Sequence, residues 1–200
     1  MRREPSQERS RATVDRILGA ARTVLAERGY DGAGTNRIAA AAGVGPGTVY
    51  QYFEDKDAIL DRVLEQVSED LEARILRAFL GTLHHEHDTV RANVEMLLDA
   101  LTAEPGLVRA LAEHAPRTLG SRRRGFAQRV DQLVAGTLLA QHRDESARVE
   151  TVAWMLVRVA EHVTISWVLE APDVPRETLV EELSAMIGGY LARLGVPAAD

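Results

Sequence analysis

The chain has 200 residues, of which 46% are hydrophobic and none is cysteine. This length and apolar content fit one globular domain, or a small and a larger one, with a buried core. The lack of cysteine excludes disulfides and thiolate chemistry, and no segment approaches the roughly 18 consecutive apolar residues of a membrane span. The N-terminus lacks the apolar stretch of a signal peptide. We therefore expect a soluble, cytoplasmic protein without membrane contact.

The formal net charge of −6 is unevenly distributed along the chain. Residues 1–53 hold eight arginines and five acidic residues, whereas residues 54–200 hold 16 basic and 25 acidic residues. An acidic chain as a whole does not favour a polyanion, but this asymmetry would orient its N-terminal part toward one. A difference of this size also arises by chance.

The N-terminal region predicts an arm followed by a helix. Residues 1–11 contain four arginines without helical periodicity, so we expect a flexible basic arm, which is either an ordinary terminus or an arm that contacts phosphate groups. An amphipathic helix follows, and Gly29 would end it before a glycine-rich connection at 30–34. Its apolar positions are Val14, Ile17, Leu18, Ala21 and Leu25.

Residues 35–56, TNRIAAAAGVGPGTVYQYFEDK, predict two short helices joined by a tight turn and followed directly by a third. Thr35 would cap the first helix, and Gly43 supplies the left-handed residue that ends it. Pro46 has the fixed φ that suits the first turn of the next helix. The buried face of the first helix would hold Ile38, Ala39 and Ala42. This layout is typical of a helix-turn-helix that binds DNA.

The second short helix would present an uncharged surface. Val49 and Phe53 have the spacing of an inward face. The remaining side chains are small, hydroxyl-bearing or amide-bearing: Gly47, Thr48, Tyr50, Gln51 and Tyr52. Because no carboxylate lies there to repel phosphate, and glycine lets the backbone approach closely, this surface suits contact with DNA.

This segment resembles the DNA-binding domain of the TetR family of bacterial repressors, whose members carry a pattern close to T-x-x-x-I-A-x-x-A-G-V-S-x-G-T-L-Y-x-Y-F-x-x-K. The matching residues are Thr35 (displaced by one position), Ile38, Ala39, Ala42, Gly43, Val44, Gly47, Thr48, Tyr50, Tyr52, Phe53 and Lys56. Val49 replaces leucine, and Gly45 stands where the family usually has serine. A glycine N-cap offers no side-chain acceptor, so we expect Pro46 to contribute more to starting the helix.

The resemblance and the side-chain chemistry together imply roles in DNA binding. Lys56, the only lysine of the chain, matches the family's phosphate anchor at the start of the long helix. Gln51 would hydrogen-bond a base edge, and Pro46 with Gly47 would lie against a thymine methyl. Arg37 would contact either a phosphate or a base. Hydroxyl groups that would donate to phosphates belong to Thr35, Thr48, Tyr50 and Tyr52. Each tyrosine also has packing as an alternative.

The rest of the chain predicts helices only. Asp55 is a good N-cap for a long helix, since no Gly or Pro follows until Gly81. Further helices are predicted at 88–103, 105–114, 121–142, 145–169 and 174–194. We therefore expect an all-α fold of about nine helices, the number usual in the resembling family. The helix-turn-helix domain would span 12–56, and a C-terminal effector-binding and dimerisation domain would span 57–200.

The last two helices carry apolar and small residues that would form a four-helix interface between two subunits. The residues predicted for it are Val152, Leu156, Leu183, Ser184, Ile187, Gly188 and Ala192. The alternative is that they complete the core of a single subunit. A homodimer would place two reading helices about 34 Å apart, as a palindromic operator requires.

Effector-binding residues are sought among aromatic or polar side chains on otherwise apolar inner faces. The candidates are Met96, Phe126, Trp154, Arg158, His162 and Trp167. For each, a position in the core or on the surface is the alternative. His84, His85 and His87 lie in a predicted loop without a fourth ligand at helical spacing, and we interpret them as solvated. We expect no metal and no cofactor.

Together these features predict a ligand-responsive transcriptional regulator that binds double-stranded DNA. We expect a repressor that binds a palindromic operator as a dimer and is released by a small-molecule effector. The chain has no nucleophilic cysteine, no glycine-rich phosphate loop and no H-E-x-x-H motif, so we do not expect an enzyme. The alternative is a helical interaction or ligand-binding protein that has lost operator binding.

Overall fold

The computed structural model describes residues 4–82, 89–115, 119–141 and 146–194, and their side chains except those of 4–9, 82, 121–123, 140–141 and 146–147. Over these ranges the chain forms nine helices and no strand, which confirms the predicted all-α fold. They are α1 (Glu4–Gly32), α2 (Thr35–Ala42), α3 (Pro46–Tyr50), α4 (Lys56–Thr82), α5 (Thr89–Thr102), α6 (Pro105–His114), α7 (Leu119–Gln141), α8 (Ser146–Glu170) and α9 (Arg176–Arg193).

The first helix is longer than predicted at both ends. Helix α1 begins at Glu4, so most of the predicted arm at 1–11 is helical, whereas residues 1–3 lie outside the described residues. Pro5 falls in the first turn, where a missing N–H is not needed. At the other end the chain kinks at Gly29 (φ 67°, ψ −179°) and then stays helical to Gly32.

The described chain divides into two compact units. The N-terminal unit comprises Met1–Asp70 and Glu104–Leu119, and the C-terminal unit comprises Leu71–Ala103 and Gly120–Asp200. Helix α4 therefore contributes to both units, and α6 belongs to the N-terminal one. The predicted boundary after Lys56 differs from this division, since it placed α6 with the C-terminal domain.

Long-range contacts explain why α6 belongs to the N-terminal unit. The guanidinium of Arg22 on α1 pairs with Asp70 at 2.6 Å and with Glu104, directly before α6, at 2.7 Å. A Cβ added to Gly106 would lie 2.4 Å from the carbonyl oxygen of Ala26, so α6 approaches α1 more closely than a residue with a side chain would allow. The contacts of Arg22 join residues 48 and 82 apart in sequence, which local patterns do not predict.

The C-terminal unit has two clusters of buried apolar side chains. One comprises Val94, Leu98, Val180, Leu183 and Ile187 of α5 and α9, with partly buried residues of α8 packed against it. The other comprises Ala135, Leu138, Val149, Val152 and Ala153 of α7 and α8, with partly buried residues of α9. The core of a single chain thus contains apolar residues from α5, α7, α8 and α9.

Three residues predicted at a dimer interface belong instead to these cores. Val152 is 4% exposed, Leu183 4% and Ile187 7%, so the single chain buries them, as the alternative for these residues predicted, and leaves little of their surface for a partner. Leu156 is partly buried and packs against both clusters. The sequence could not distinguish the two uses, because α8 carries apolar residues around most of its circumference and its rotation depends on its neighbours.

Helix α8 contains the segment of the described chain whose length and composition come nearest to those of a membrane span, although Arg158 and Glu161 interrupt its apolar residues. The segment Arg148–Glu170 contains an 18-residue window of mean hydropathy 1.3 that is long and apolar enough by composition alone. Only 17% of that window is buried within the chain. Helices of this composition also occur in proteins without a membrane segment, where their apolar surface packs against other helices.

Candidate nucleic-acid interface

Neither short helix of the helix-turn-helix begins with a side-chain cap. Gly34 is the N-cap of α2, so Thr35 is the first helical residue and not the cap that the sequence predicted. Gly45 is the N-cap of α3, and Pro46 lies in its first turn as predicted. The amide of Thr48 donates to the Gly45 carbonyl at 2.9 Å. Backbone groups and proline geometry therefore start α3.

The turn between α2 and α3 is fixed by its backbone. Gly43 ends α2 in the left-handed conformation (φ 65°), as predicted. Its N–H donates to the carbonyl of Ala40 at 3.2 Å, and the N–H of Val44 donates to that of Ala39 at 3.0 Å, which is the bond pair of a Schellman motif. A side chain at this φ would strain the backbone.

Burial on one side of α2 and α3 leaves the opposite side exposed. Ile38, Ala39 and Val49 are at most 1% exposed, whereas Tyr50 is 57% and Tyr52 37% exposed. Pro46, Gly47 and Gln51 are also exposed, and Thr48 is half-buried. Because α3 ends at Tyr50, Gln51 and Tyr52 lie on the following turn. We call the segment 46–52 the recognition surface; it carries no charged residue.

Space is open around Gly45, directly before the recognition surface, and around Gly47 within it. A Cβ added to Gly45 or Gly47 would meet no atom of the described chain within 4 Å. Gly45 and Gly47 both have a negative φ, which any residue can adopt. The fold itself therefore does not require these residues to be glycine, in contrast to Gly43.

The start of α4 lies in the same unit as this surface. Asp55 caps α4 as predicted, since its Oδ1 accepts the N–H of Ala58 at 2.8 Å. The ammonium of Lys56 lies 5.1 Å from the ring centroid of Tyr30. The hydroxyl of Tyr30 donates to Oδ1 of Asp57 at 3.1 Å. Tyr30 thus contacts the first two residues of α4.

Burial and acidic neighbours raise the pKa values of two residues near Lys56, Tyr30 and Asp61. Burial, the hydrogen bond to Asp57 and nearby carboxylates raise the pKa of Tyr30 to about 12, which favours the protonated hydroxyl that donates to Asp57. Burial, followed by repulsion from Asp57, Glu65 and Asp55, raises the pKa of Asp61 above its usual value. Lys56 therefore lies among the carboxylates of Asp55, Asp57 and Asp61 at the start of α4.

Arg37 has a partner within the protein. Its guanidinium donates to the carbonyl of Gly32, the last residue of α1, while the side chain remains exposed. Arg37 therefore joins α2 to α1. This contact was not anticipated, since the sequence assigned Arg37 only to DNA.

The effector candidates do not share one set of neighbours. Trp154 is 55% exposed and His162 is exposed, so the expectation that they face inward is wrong. Trp167 packs against the α5–α9 core and its Nε1 donates to the Val174 carbonyl at 2.9 Å. Met96 is half-buried on α5.

Two candidates on α7 and α8 have charged neighbours. The half-buried ring of Phe126 lies 5.8 Å from the guanidinium carbon of Arg129. Arg158 pairs with Asp131 at 3.0 Å and with Glu161, and its buried Nε has no hydrogen-bond partner in the described chain. Arg158 is the candidate whose polar atoms are least satisfied.

Sequence reasoning missed several residues that hold the N-terminal unit together. They are Arg22, Tyr30, Gly106 and His114. A glycine directly after the first helical proline of α6 was the only local signal for close packing. The predicted histidine cluster at 84, 85 and 87 lies outside the described residues, and within the described part no three metal-ligating side chains converge.

Comparisons with known proteins agree with this architecture. The family model of bacterial regulatory proteins of the tetR family matches residues 17–63, and that of the tetracyclin repressor-like C-terminal domain matches residues 87–191, more than half of the chain. The transcriptional regulator UidR of Escherichia coli K12 is 28% identical over 191 residues, covering 92% of this chain and 96% of UidR.

Two further similarities come from Rhodococcus. The transcriptional repressor KstR2 of Rhodococcus jostii RHA1 is 24% identical over 181 residues, covering 86% of this chain and 88% of KstR2. The crystal structure of a transcriptional regulator from Rhodococcus sp. RHA1 has a similar fold, with a TM-score of 0.66, 24% identity and coverage of 90% and 96% of the two chains. The chain is therefore a helix-turn-helix transcriptional regulator and belongs to the tetR family of bacterial regulatory proteins.

Proposed function

We propose that this regulator is a cytoplasmic homodimeric repressor that binds a palindromic operator and is released by a small molecule held in its C-terminal unit. The observation that carries the proposal is the recognition surface, which is exposed, uncharged and rich in hydroxyl and amide groups. Such groups donate to phosphates and base edges without repelling the DNA backbone. The relative KstR2, 88% of which is covered by the similarity, is named a repressor, which supports this sign of regulation.

Within this proposal the side chains have distinct tasks. The hydroxyls of Thr35, Thr48, Tyr50 and Tyr52 position the protein on phosphates. Gln51 contacts a base edge, and Pro46 with Gly47 lies against a thymine methyl. Lys56 provides the phosphate anchor, and Arg37 contacts DNA with whichever N–H groups its bond to Gly32 leaves available.

The dimer interface is assigned to the exposed apolar residues of α8 and α9. Trp154 and Met155 on α8 are 55% and 42% exposed, and Met186 on α9 is 54% exposed. Beside Met186, small residues recur at the i, i+3, i+4 and i+7 positions of one face of α9, where they let a partner helix approach closely: Ala185, Gly188, Gly189 and Ala192. Large exposed apolar side chains of this kind are typical of protein interfaces. Leu156 and Ser184, which are half-buried, would lie at the edge of this dimer interface.

For the effector, Arg158 is the strongest of the proposed contacts. Its Nε is buried without a partner, and an acidic or carbonyl group of a ligand would satisfy it. Met96, Phe126 and Trp167 would supply apolar contacts. We expect the ligand to bind a conformation in which the spacing of the two reading helices does not match the major grooves of the operator. The free energy by which the ligand prefers this conformation is then lost from operator binding.

The test begins with selection of duplexes from a random-sequence library by the wild-type protein. We expect an inverted repeat and an affinity that falls steeply with salt. Lys56→Ala should reduce the slope of log affinity against log salt by about one. Arg62→Ala is the matched control, since it removes an α4 charge that is already paired with Glu65 at 3.0 Å.

Two results would contradict the proposal. One is the failure of the wild-type protein to bind any duplex at low ionic strength, which would favour the alternative of a helical protein without operator binding. The other is an unchanged salt slope for both Lys56→Ala and Arg62→Ala, which would remove Lys56 from the contact surface.

A further inference from the structure

Three contacts converge on the side chain of Tyr30. Its ring stacks on the imidazole of His114, the last residue of α6, with centroids 4.2 Å apart and planes inclined by 21°. The ammonium of Lys56 lies over the ring at 5.1 Å, and the hydroxyl donates to Asp57 at 3.1 Å. All of these residues belong to the N-terminal unit. One half-buried ring therefore joins the end of α6 to the start of α4.

The backbone before Tyr30 is suited to this placement. Gly29 adopts φ 67° and ψ −179°, a conformation that other residues rarely adopt. The kink lets Tyr30 leave the regular path of α1 just before the helix-turn-helix begins. An ordinary residue at 29 would continue α1 without the kink and aim position 30 elsewhere.

The cation–π contact has a specific consequence for Lys56. A lysine side chain has four rotatable bonds and loses much conformational entropy when a ligand fixes it. Contact with an aromatic face restricts the side chain yet occupies none of its N–H groups, so all three donors remain available. In the described chain the ammonium has no ion pair, although Asp55 and Asp57 flank it in sequence.

We propose that Tyr30 is a positioning residue for DNA binding, which holds the Lys56 ammonium in advance where a phosphate meets it, while Asp57 and His114 fix the orientation of the ring. The inference rests on the proposed role of Lys56 as a phosphate anchor. Tyr30 itself makes no DNA contact in this account. Its effect on affinity passes entirely through Lys56.

The chain offers a direct spectroscopic test because Lys56 is its only lysine. Protein labelled with ¹³C-lysine gives a single lysine side-chain spectrum by NMR, and protons over an aromatic face are shifted upfield. We expect upfield-shifted ε-methylene protons in the wild-type protein and in Tyr30→Phe, which keeps the ring. The shift should disappear in Tyr30→Leu and decrease in His114→Ala.

Duplex affinity, measured with the selected operator, provides the second readout. Tyr30→Leu should weaken binding about three- to tenfold, and Tyr30→Phe should weaken it less. In a Lys56→Ala background, Tyr30→Leu should cost no further affinity. A structural role that merely supports the fold would lower affinity in both backgrounds, so the double-mutant cycle separates the two explanations.

The outcomes also separate this inference from the function on which it rests. If operator binding leaves the lysine signals unchanged and Lys56→Ala binds normally, the phosphate anchor itself is wrong. If Lys56→Ala weakens binding but the lysine protons lack the upfield shift, or the two substitutions are additive, the role of Tyr30 is overturned and the anchor stands.

Discussion

The recognition surface of the N-terminal unit and the exposed face of α8 and α9 present large side chains to a similar extent but with different chemistry. Tyr50 and Tyr52 are 57% and 37% exposed, and Trp154 and Met186 are 55% and 54% exposed. The tyrosines carry hydroxyl groups and stand beside glycine, threonine and glutamine. Met186 stands among alanine and glycine. Exposed large side chains therefore indicate a contact surface in both units, and the polar atoms decide which partner each surface suits.

The largest expected effect comes from the apolar face. Met186→Arg places a charge at the centre of the proposed interface, where an unpaired charge is costly to bury. We expect a monomer by analytical ultracentrifugation, and operator affinity lower by about 100-fold or more because two linked reading helices no longer act together. Far-UV circular dichroism should be unchanged, since Met186 is 54% exposed in the single chain.

A matched control distinguishes the interface from general surface effects. Val174→Arg introduces the same charge at a residue that is 39% exposed between α8 and α9. It should leave both the dimer and the affinity unchanged. A dimeric Met186→Arg protein with wild-type affinity would place the interface elsewhere.

A smaller effect tests the recognition surface. Gly47→Ala adds a methyl group that meets nothing within 4 Å in the protein. Alanine favours the helix by up to about 1 kcal/mol, so the unfolding temperature should stay constant or rise. Operator affinity should nevertheless fall by about tenfold, because the methyl group prevents close approach to DNA.

Gly136→Ala is the control for that substitution, since Gly136 lies within α7 and also has open space around it. It should stabilise the protein to a similar extent without changing affinity. Equal affinities for Gly47→Ala and the wild type would show that α3 does not approach DNA at this residue.

The smallest effect concerns the acidic start of α4. The folded state raises the pKa of Asp61, mainly by burial and then by repulsion from Asp57. The folded chain therefore binds this proton more tightly than the unfolded chain, and its contribution to stability is lost as pH rises through the raised pKa. Asp61→Asn should stabilise the protein by about 0.5 kcal/mol at neutral pH, and the gain should vanish in acid.

Denaturant unfolding at neutral and acidic pH measures this effect. Asp70→Asn serves as the contrasting variant, because Asp70 pairs with Arg22 at 2.6 Å and its loss should not stabilise the protein. A stabilisation by Asp61→Asn that is the same at both pH values would exclude the charge as its cause.

Local signals in the sequence predicted the helices well. The observed bounds of α6, Pro105–His114, are those predicted, and the ends of α5, α7, α8 and α9 lie within two residues of prediction. Gly43 and Asp55 formed the predicted end and start of helices. Such positions are readable because proline, glycine and capping side chains act on adjacent backbone groups.

Features that depend on distant contacts were not predicted. Val152, Leu183 and Ile187 are buried in one chain, whereas Trp154 and Met186 are exposed, and only the packing of neighbouring helices decides this. The sequence predicted which segment, 35–56, holds the proposed DNA-binding residues. The support of this segment by Tyr30 was not predicted, because that depends on contacts with His114 and Lys56 from two other helices.

The central claim is that two copies of the recognition surface contact one DNA duplex. Hydroxyl-radical footprinting of the wild-type protein on a selected operator, with the stoichiometry determined by sedimentation, tests it most directly. The account predicts two chains per duplex and two protected half-sites whose centres are about 34 Å, or a multiple of that distance, apart. A single protected site occupied by one chain with full affinity would contradict it.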